Sequence, residues 1–215
     1  MMAGMATKTA GVMARRSAEA QERILEAAVE VFGTDGYRGG SLRKVADQAG
    51  LTLPGLLHHF PSKEELLRAL LQRRDELLAA ENEAEFPHLD VVEQFAFIAR
   101  RNMKNPGMAR LFIILAAEST DPTHAAHDFF RNRYLRSEQT VRDAIRAQQE
   151  AGILRKDLDI AAQAHAVLAI SDGLQLRWLL NPDFDLAEAV TAALSHLRHD
   201  RRRSASIRPM ATVKE

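Results

Sequence analysis

Apolar residues recur along this chain at intervals of three and four, and no stretch alternates with the period of two that a half-buried strand requires. The first periodic segment places Ile24, Leu25, Ala28, Val31 and Phe32 on one face, with Glu19, Glu22, Glu26 and Glu30 elsewhere. Ser17 suits its N-cap, and Gly33 and Gly36 mark its end. Two short helices are predicted next. Ser41 caps one whose apolar positions are Leu42, Val45, Ala46 and Ala49, closed by Gly50; Thr52 caps the other, which extends to about Phe60. Pro54 and Gly55 fall in its first turn, where a missing amide hydrogen breaks no internal bond. Pro61 stops it, and Ser62 with Glu65 forms a capping box for a longer helix to about Asn82. Beyond ENEAEFPHLD, further helices are predicted over 90–103, 108–119, 123–151, 160–180 and 186–199, punctuated by NPG, DPT, Gly152 and NPDFD. The chain reads as all-α.

Length adds room for a small domain joined to a larger one within 215 residues. The absence of cysteine excludes a disulfide scaffold, a thiolate nucleophile and a zinc site built on sulfur. No apolar run approaches the roughly 20 residues that span a bilayer; the longest, LFIILAA, lies between Arg110 and Glu118. The start of the chain has no sustained apolar region of the secretory kind, so a cytoplasmic location is expected. Residues 1–16 hold Lys8, Arg15 and Arg16 without an acid and read as a flexible basic arm, and 201–215 as a disordered basic tail. With 29 basic and 29 acidic residues, any affinity for nucleic acid must come from the placement of charge.

Two short helices joined by a glycine turn, behind a longer helix, is the plan of a helix-turn-helix unit. Ala46 is small enough for a close crossing, Gly50 turns without a clash, and Leu56 fills the corner. The segment from Ala20 to Leu71, through ILEAAVEVFGTDGY, SLRKVADQAGLT and LLHHFPSKEELL, resembles the DNA-binding domain of the TetR family of bacterial transcriptional regulators. AAESTDPTHAAHDFF and DGLQLRWLL are similar to an actinobacterial-type subgroup of that family. The resemblance implies an all-helical homodimer with a small three-helix DNA-binding domain and a larger ligand-binding and dimerisation domain. The expected division is a basic arm at 1–16, the helix-turn-helix domain at 17–62, a connecting helix at 63–82, the ligand-binding and dimerisation domain at 83–200, and a tail at 201–215. Two departures stand out. Pro54 and Gly55 occupy positions where the family commonly has glycine followed by threonine or alanine, and Leu57 replaces a tyrosine, removing one expected polar contact to DNA.

In this reading the helix from Thr52 to Phe60 enters the major groove of a double-stranded operator. Leu53 and Pro54 offer no hydrogen bonds and would read thymine methyls and groove shape, while Gly55 lets the backbone approach. Arg43 is the candidate for a hydrogen-bonded base contact, worth ~1–3 kcal/mol of discrimination. Lys44, Tyr37, His59, Lys63 and Thr52 are expected at phosphates, and Arg15 and Arg16 in the adjacent minor groove. His58 and His59 do not read as metal ligands, because adjacent helical side chains diverge by about 100°. His124 with His127 and Asp128, and His196 with His199, have better spacing, yet such pairs on surface helices mostly bind nothing, and no metal or cofactor is expected.

A small apolar or amphipathic effector is expected among helices 90–180. Met103, Met108, Phe112, Phe130, His165 and Trp178 are candidates to line its cavity, against the plainer reading of helical core. His165, Asp172 and Gln175 interrupt an otherwise apolar helix and must find partners, with dimer packing favoured. The function expected is a ligand-responsive dimeric regulator, a repressor released from a palindromic operator. Against it stand an all-α enzyme or metal-dependent protein using His124, His127 and Asp128, and non-specific nucleic-acid binding. No nucleophile, base and orienting group cluster anywhere in the sequence, so an enzyme is not expected.

Overall fold

Side-chain caps open most of the helices. In the computed structural model, which describes residues 3–198, Ser41, Thr52, Ser62, Asp90, Asn105, Asp159 and Asp185 each accept a backbone N–H from three residues further on. The helices that result are α1 (Ala3–Gly39), α2 (Leu42–Gln48), α3 (Leu53–His59), α4 (Lys63–Glu85), α5 (Val91–Lys104), α6 (Pro106–Glu118), α7 (His127–Glu150), α8 (Ile160–Leu180) and α9 (Leu186–Leu194). Short 3-10 turns follow α4 and α9. The fold is all-α; among the described residues, Leu154 and Arg198 form an isolated antiparallel bridge.

Several boundaries differ from expectation. The first helix begins at Ala3 and not at Ser17, so the stretch expected as a flexible arm is helical from Ala3 onward; it contains no proline, and alanine, methionine, lysine and arginine are good helix formers. Gly33 does not end α1. The break comes at Gly36 (φ 70°, ψ 169°), after which one further turn runs to Gly39. α6 starts at Pro106 because Asn105 caps it and proline is tolerated in a first turn. α7 starts four residues later than expected, at His127, because the Asp121 carboxylate accepts the Thr123 amide (2.9 Å) and hydroxyl (2.7 Å) and holds that segment as a turn. His199 and the expected tail at 201–215 lie outside the described residues.

The buried side chains form two clusters. One joins Ile24, Phe32, Val45, Leu56, Leu66 and Leu70 of α1–α4 to Leu111, Phe112 and Leu115 of α6 and Phe130 of α7. The other joins Val91 and Val92 of α5 to Val141 and Ile145 of α7, Val167 of α8, and Leu186, Val190 and Leu194 of α9. Each such side chain contributes about 1.5–3 kcal/mol by leaving water. The division of the core therefore runs through the carboxy-terminal helices: α6 packs along α1 and belongs with the helix-turn-helix unit. A conformational change in the larger half that moves α6 must reach α1 directly.

Candidate nucleic-acid interface

α2 and α3 are held at a fixed angle by a small interior. Val45, Ala46, Ala49 and Leu56 are buried, and Leu51 N–H donates to the Ala46 carbonyl (2.9 Å) across a turn in which Gly50 has φ 69°. Only glycine takes that φ without cost, which is why the turn can be this tight. The Thr52 hydroxyl accepts the Gly55 amide (3.2 Å) and starts α3, with Pro54 in the first turn. Thr52 and Pro54 are exposed, Leu53 and Gly55 half-buried. The amino-terminal turn of α3 is thus a presented surface, and Leu56 behind it is fully buried.

The other expected DNA contacts are placed unequally. Arg43 is exposed and has no ion pair or hydrogen bond among the described residues. The Lys44 ammonium pairs with Asp35 at 2.7 Å. His59 is half-buried with its ring edge-on to exposed His58, the centroids 5.5 Å apart. Lys63 donates to the Arg38 carbonyl (3.3 Å) and sits 4.6 Å over the Tyr37 ring; burial lowers its pKa. Tyr37 is corrected by the structure. It was expected at a phosphate, but its side chain is 7% exposed, packed edge-on to Phe32 and His124, and burial first, then the Glu64 carboxylate, pushes its pKa up to about 12. The ring supports Lys63 over its face, and the buried hydroxyl does not face a duplex. Arg15 and Arg16 are exposed on α1.

Two family models match the chain. Residues 24–70 match "Bacterial regulatory proteins, tetR family", and residues 98–200 match "BetI-type transcriptional repressor, C-terminal". The transcriptional regulator TtgR of Pseudomonas putida is 31% identical over 180 residues, covering 79% of this chain and 86% of its own. The chain belongs to the TetR family. The repressor AcnR of Corynebacterium diphtheriae is 29% identical over 174 residues, covering 79% of this chain and 86% of its own. A transcriptional regulator of Saccharomonospora viridis, solved in complex with choline, superposes with a TM-score of 0.72 at 25% identity, over 86% of this chain and all of that one. FadR of Bacillus subtilis, solved with stearoyl-CoA, gives 0.68 at 18% identity, over 82% and 97% of the two chains. This TetR-family chain is therefore a DNA-binding transcriptional regulator and not an enzyme.

The candidates for an effector cavity do not share one place in this regulator. Phe112 and Phe130 meet with centroids 4.8 Å apart and rings tilted by 57° within the first cluster, with Met108 beside it; Met103 and Trp178 pack against the second. His165 is corrected: it is exposed on α8, its Nδ1 at the Ala161 carbonyl and its Nε2 3.7 Å from Glu138. Asp172 and Gln175 find partners within the chain. Tyr134 donates its hydroxyl to Asp172 (2.7 Å), and Gln175 accepts from Asn102 and donates to the Ala109 carbonyl. The rival metal reading gains nothing: the buried His124 ring shares its Nδ1 with the Ser119 hydroxyl and the Ala126 amide, and no group of three or more possible ligands occurs among the described residues.

Sequence reasoning missed two groups. One links the halves of the TetR-family chain: Tyr37 N–H donates to Glu118 Oε2 (3.1 Å), and Arg38 pairs with Asp121 (2.6 Å), whose pKa is drawn down to about 2, mainly by the Thr123 hydroxyl and amide and then by Arg38. The other is buried. Arg74 lies with its guanidinium 3.6 Å from the centre of the Phe112 ring, and Arg133 stands 4.8 Å from the same ring. Asp75 holds Arg133 at 2.6 Å and Arg74 at only 3.7 Å. Burial, then repulsion from Arg133, lowers the Arg74 pKa to about 9. The signal for this residue was available: Leu67, Leu70, Leu71 and Arg74 follow the spacing of one helical face.

Proposed function

We propose that the chain is a homodimeric repressor that leaves an approximately palindromic operator when a small effector binds its carboxy-terminal half. The observation that carries the DNA-binding part is the presented amino-terminal turn of α3, Thr52 to Gly55, on a frame fixed by buried Leu56. Thr52 would reach phosphate, Leu53 and Pro54 thymine methyls, and Gly55 would allow close approach. Arg43, exposed and unpaired, would take a base edge; Lys44 would exchange Asp35 for a phosphate, beside His59 and Lys63. The working division is 17–62 for DNA, 63–82 as the connecting helix, and 83–200 for effector and partner subunit, with 1–16 and 201–215 as flanks.

Dimerisation is supported by α8. That helix is apolar nearly all round, a property of helices covered on every side. Yet only Ala164 and Val167 are buried within the chain, while Leu176 is 45% and Leu180 78% exposed. A second α8 would cover them, and two-fold symmetry would then set the spacing of the two α3 helices. Effector binding is supported by relatives: the S. viridis and B. subtilis regulators are solved with choline and stearoyl-CoA, and AcnR is a repressor. To take an operator from 99% to 1% occupied-competent, the effector must favour the released conformation by ~10⁴-fold. α4, which carries both Lys63 and Arg74, is the lever with α6. No helix among the described residues is long and apolar enough to cross a membrane, and the cytoplasm, where operator DNA lies, is the proposed location.

The deciding experiment is equilibrium binding of the purified chain to the DNA upstream of its own gene, across a salt series, with a random duplex of equal length as competitor. A steep salt dependence with preference for the upstream DNA is expected. Equal affinity for both duplexes would indicate non-specific binding and sink the operator reading, and a monomer on sedimentation would sink the two-fold one.

A further inference from the structure

The Arg74 guanidinium is a costly group to leave in a core. Its side chain is 9% exposed, its Nη1 has no hydrogen-bond partner among the described residues, and its nearest carboxylate oxygen, on Asp75, already accepts from Arg133 at 2.6 Å. An unmet charged donor of this kind persists where something else completes it. Arg133 stands 4.8 Å from the centre of the same Phe112 ring and shares the Asp75 carboxylate oxygen, and Arg101, only 18% exposed at its side chain, adds a third positive charge, paired with Glu81 at 3.3 Å. The remaining acid, Asp172, receives the Tyr134 hydroxyl. One turn away along α4 and α7 lies space that neither arginine lines. A groove of about 260 Å³ is lined by Leu67, Leu71, Ala126 and Phe129, with Glu64, Arg68, Ala125 and Asp128. Leu71 is three residues before Arg74 on α4, and Phe129 four before Arg133 on α7, so groove and arginines share the same helical faces one turn apart.

We propose that Arg74 and Arg133, with the adjoining apolar groove between α4 and α7, form the effector site, and that it takes an amphipathic oxyanion: a carboxylate or phosphate ester on a short apolar tail. The guanidinium fork matches two oxygens of either headgroup. A quaternary ammonium such as choline is held by the face of an aromatic ring. Here the Phe112 ring already carries two guanidiniums, which would repel a cation. This assignment deepens the effector-responsive reading above and rests on it.

The test uses the full chain and four compounds with one tail: hexanoate, hexyl phosphate, hexanol and hexyltrimethylammonium, titrated calorimetrically. At least one anion is expected to bind about tenfold or more tightly than the alcohol and the cation, the worth of a charge-assisted pair. The tighter of the two anions identifies the headgroup. Equal binding, a preference for alcohol or cation, or binding by none of the four would overturn the proposal. Arg74→Met should bring the anion down to the level of the alcohol and leave the alcohol unchanged; a preference that survives overturns the role of Arg74. Should that variant not fold, Arg74→Lys, which keeps the charge without the fork, should weaken the anion alone, and unchanged affinity overturns the role equally. Release from upstream DNA is measured separately. Anion binding that leaves DNA affinity unchanged removes the effector role and keeps the oxyanion site, whereas anion binding by a chain that never binds DNA would count against the regulator reading alone.

Discussion

Gly36 is a point where the two halves of the chain meet closely enough to be sensitive to a single methyl group. Its backbone (φ 70°, ψ 169°) lies in a region that is essentially confined to glycine, and holding another residue there costs about 1–3 kcal/mol. A Cβ built on Gly36 would also stand 2.8 Å from Glu118 Oε1, closer than two such atoms can approach. The carboxylate can swing away, but doing so breaks its hydrogen bond from Tyr37 N–H, worth about 1.5–3 kcal/mol for a charged acceptor. Gly36→Ala is therefore expected to destabilise the protein by about 2.5–6 kcal/mol in urea unfolding, measured at one fixed protein concentration because the proposed dimerisation would be linked to unfolding. The double-mutant cycle with Glu118→Ala separates the two contributions. With the carboxylate gone, the alanine should cost only its backbone strain, so the two substitutions should be non-additive by about 1.5–3 kcal/mol. Additive effects would refute the contact as the reason for glycine, and a cost below about 0.5 kcal/mol would refute the strain as well. The same contact joins α6 to α1, so Glu118→Ala should also weaken the response of DNA affinity to an effector.

Four further outcomes follow from the site and the core. Arg43→Ala should cost ~1–3 kcal/mol at one position of each half-site in selections from random duplexes, whereas equal loss on all sequences would make Arg43 a backbone contact. Lys63→Ala should weaken every duplex alike and reduce the salt slope by about 1 per subunit; an unchanged slope would leave Lys63 as a structural partner of Tyr37 only. Leu180→Asp, at a 78% exposed position, should leave the monomer folded by circular dichroism and raise the dimer dissociation constant in sedimentation; an unaltered dimer would place the interface elsewhere. Burial raises the Asp172 carboxyl pKa, so the native state holds that proton more tightly than the unfolded chain, and the stability it removes grows as pH rises from the ordinary carboxylate range through the raised value. Asp172→Asn should thus stabilise at pH 7 and lose its advantage as pH falls below that window; an advantage independent of pH would mean that burial of the charge is not the cause.

In the proposed effector response, the α6–α1 contact and the arginine cluster would form one route between effector and DNA. Arg74 stands on α4, which also supplies Lys63 beside Tyr37, and Phe112 beneath it stands on α6, which supplies Glu118 to the Tyr37 amide. An anion drawn onto Arg74 would pull on both helices that reach the helix-turn-helix unit. The physical requirement is a pair of arrangements with different anion affinity, and the guanidinium whose Nη1 lacks a hydrogen bond is the group whose energy would differ most between them.

Local features were legible from sequence alone. Caps, the proline in the first turn of α3 and the glycine turn at Gly50 act within a few residues, so Ser41, Thr52, Ser62 and Gly50 announced α2, α3 and α4 before any packing was known. The all-α class and the family came from the same short-range pattern, which is why the stretch from Ala20 to Leu71 sufficed. What lies between distant segments was not legible. Gly33 and Gly36 read as the end of a helix, yet Gly36 faces Glu118, 82 positions away in the chain. Tyr37 read as a phosphate contact and is enclosed by Phe32, His124 and Lys63, two of them from other helices or loops. His165 read as a cavity residue and is exposed, because a helix apolar on every side carries no mark of which face its own chain will cover. Arg74 was passed over as one charge among many, although its spacing put it on the buried face of α4. Spacing within a helix is fixed by 3.6 residues per turn and can be read from sequence; which helix meets that face is decided only when the chain closes on itself.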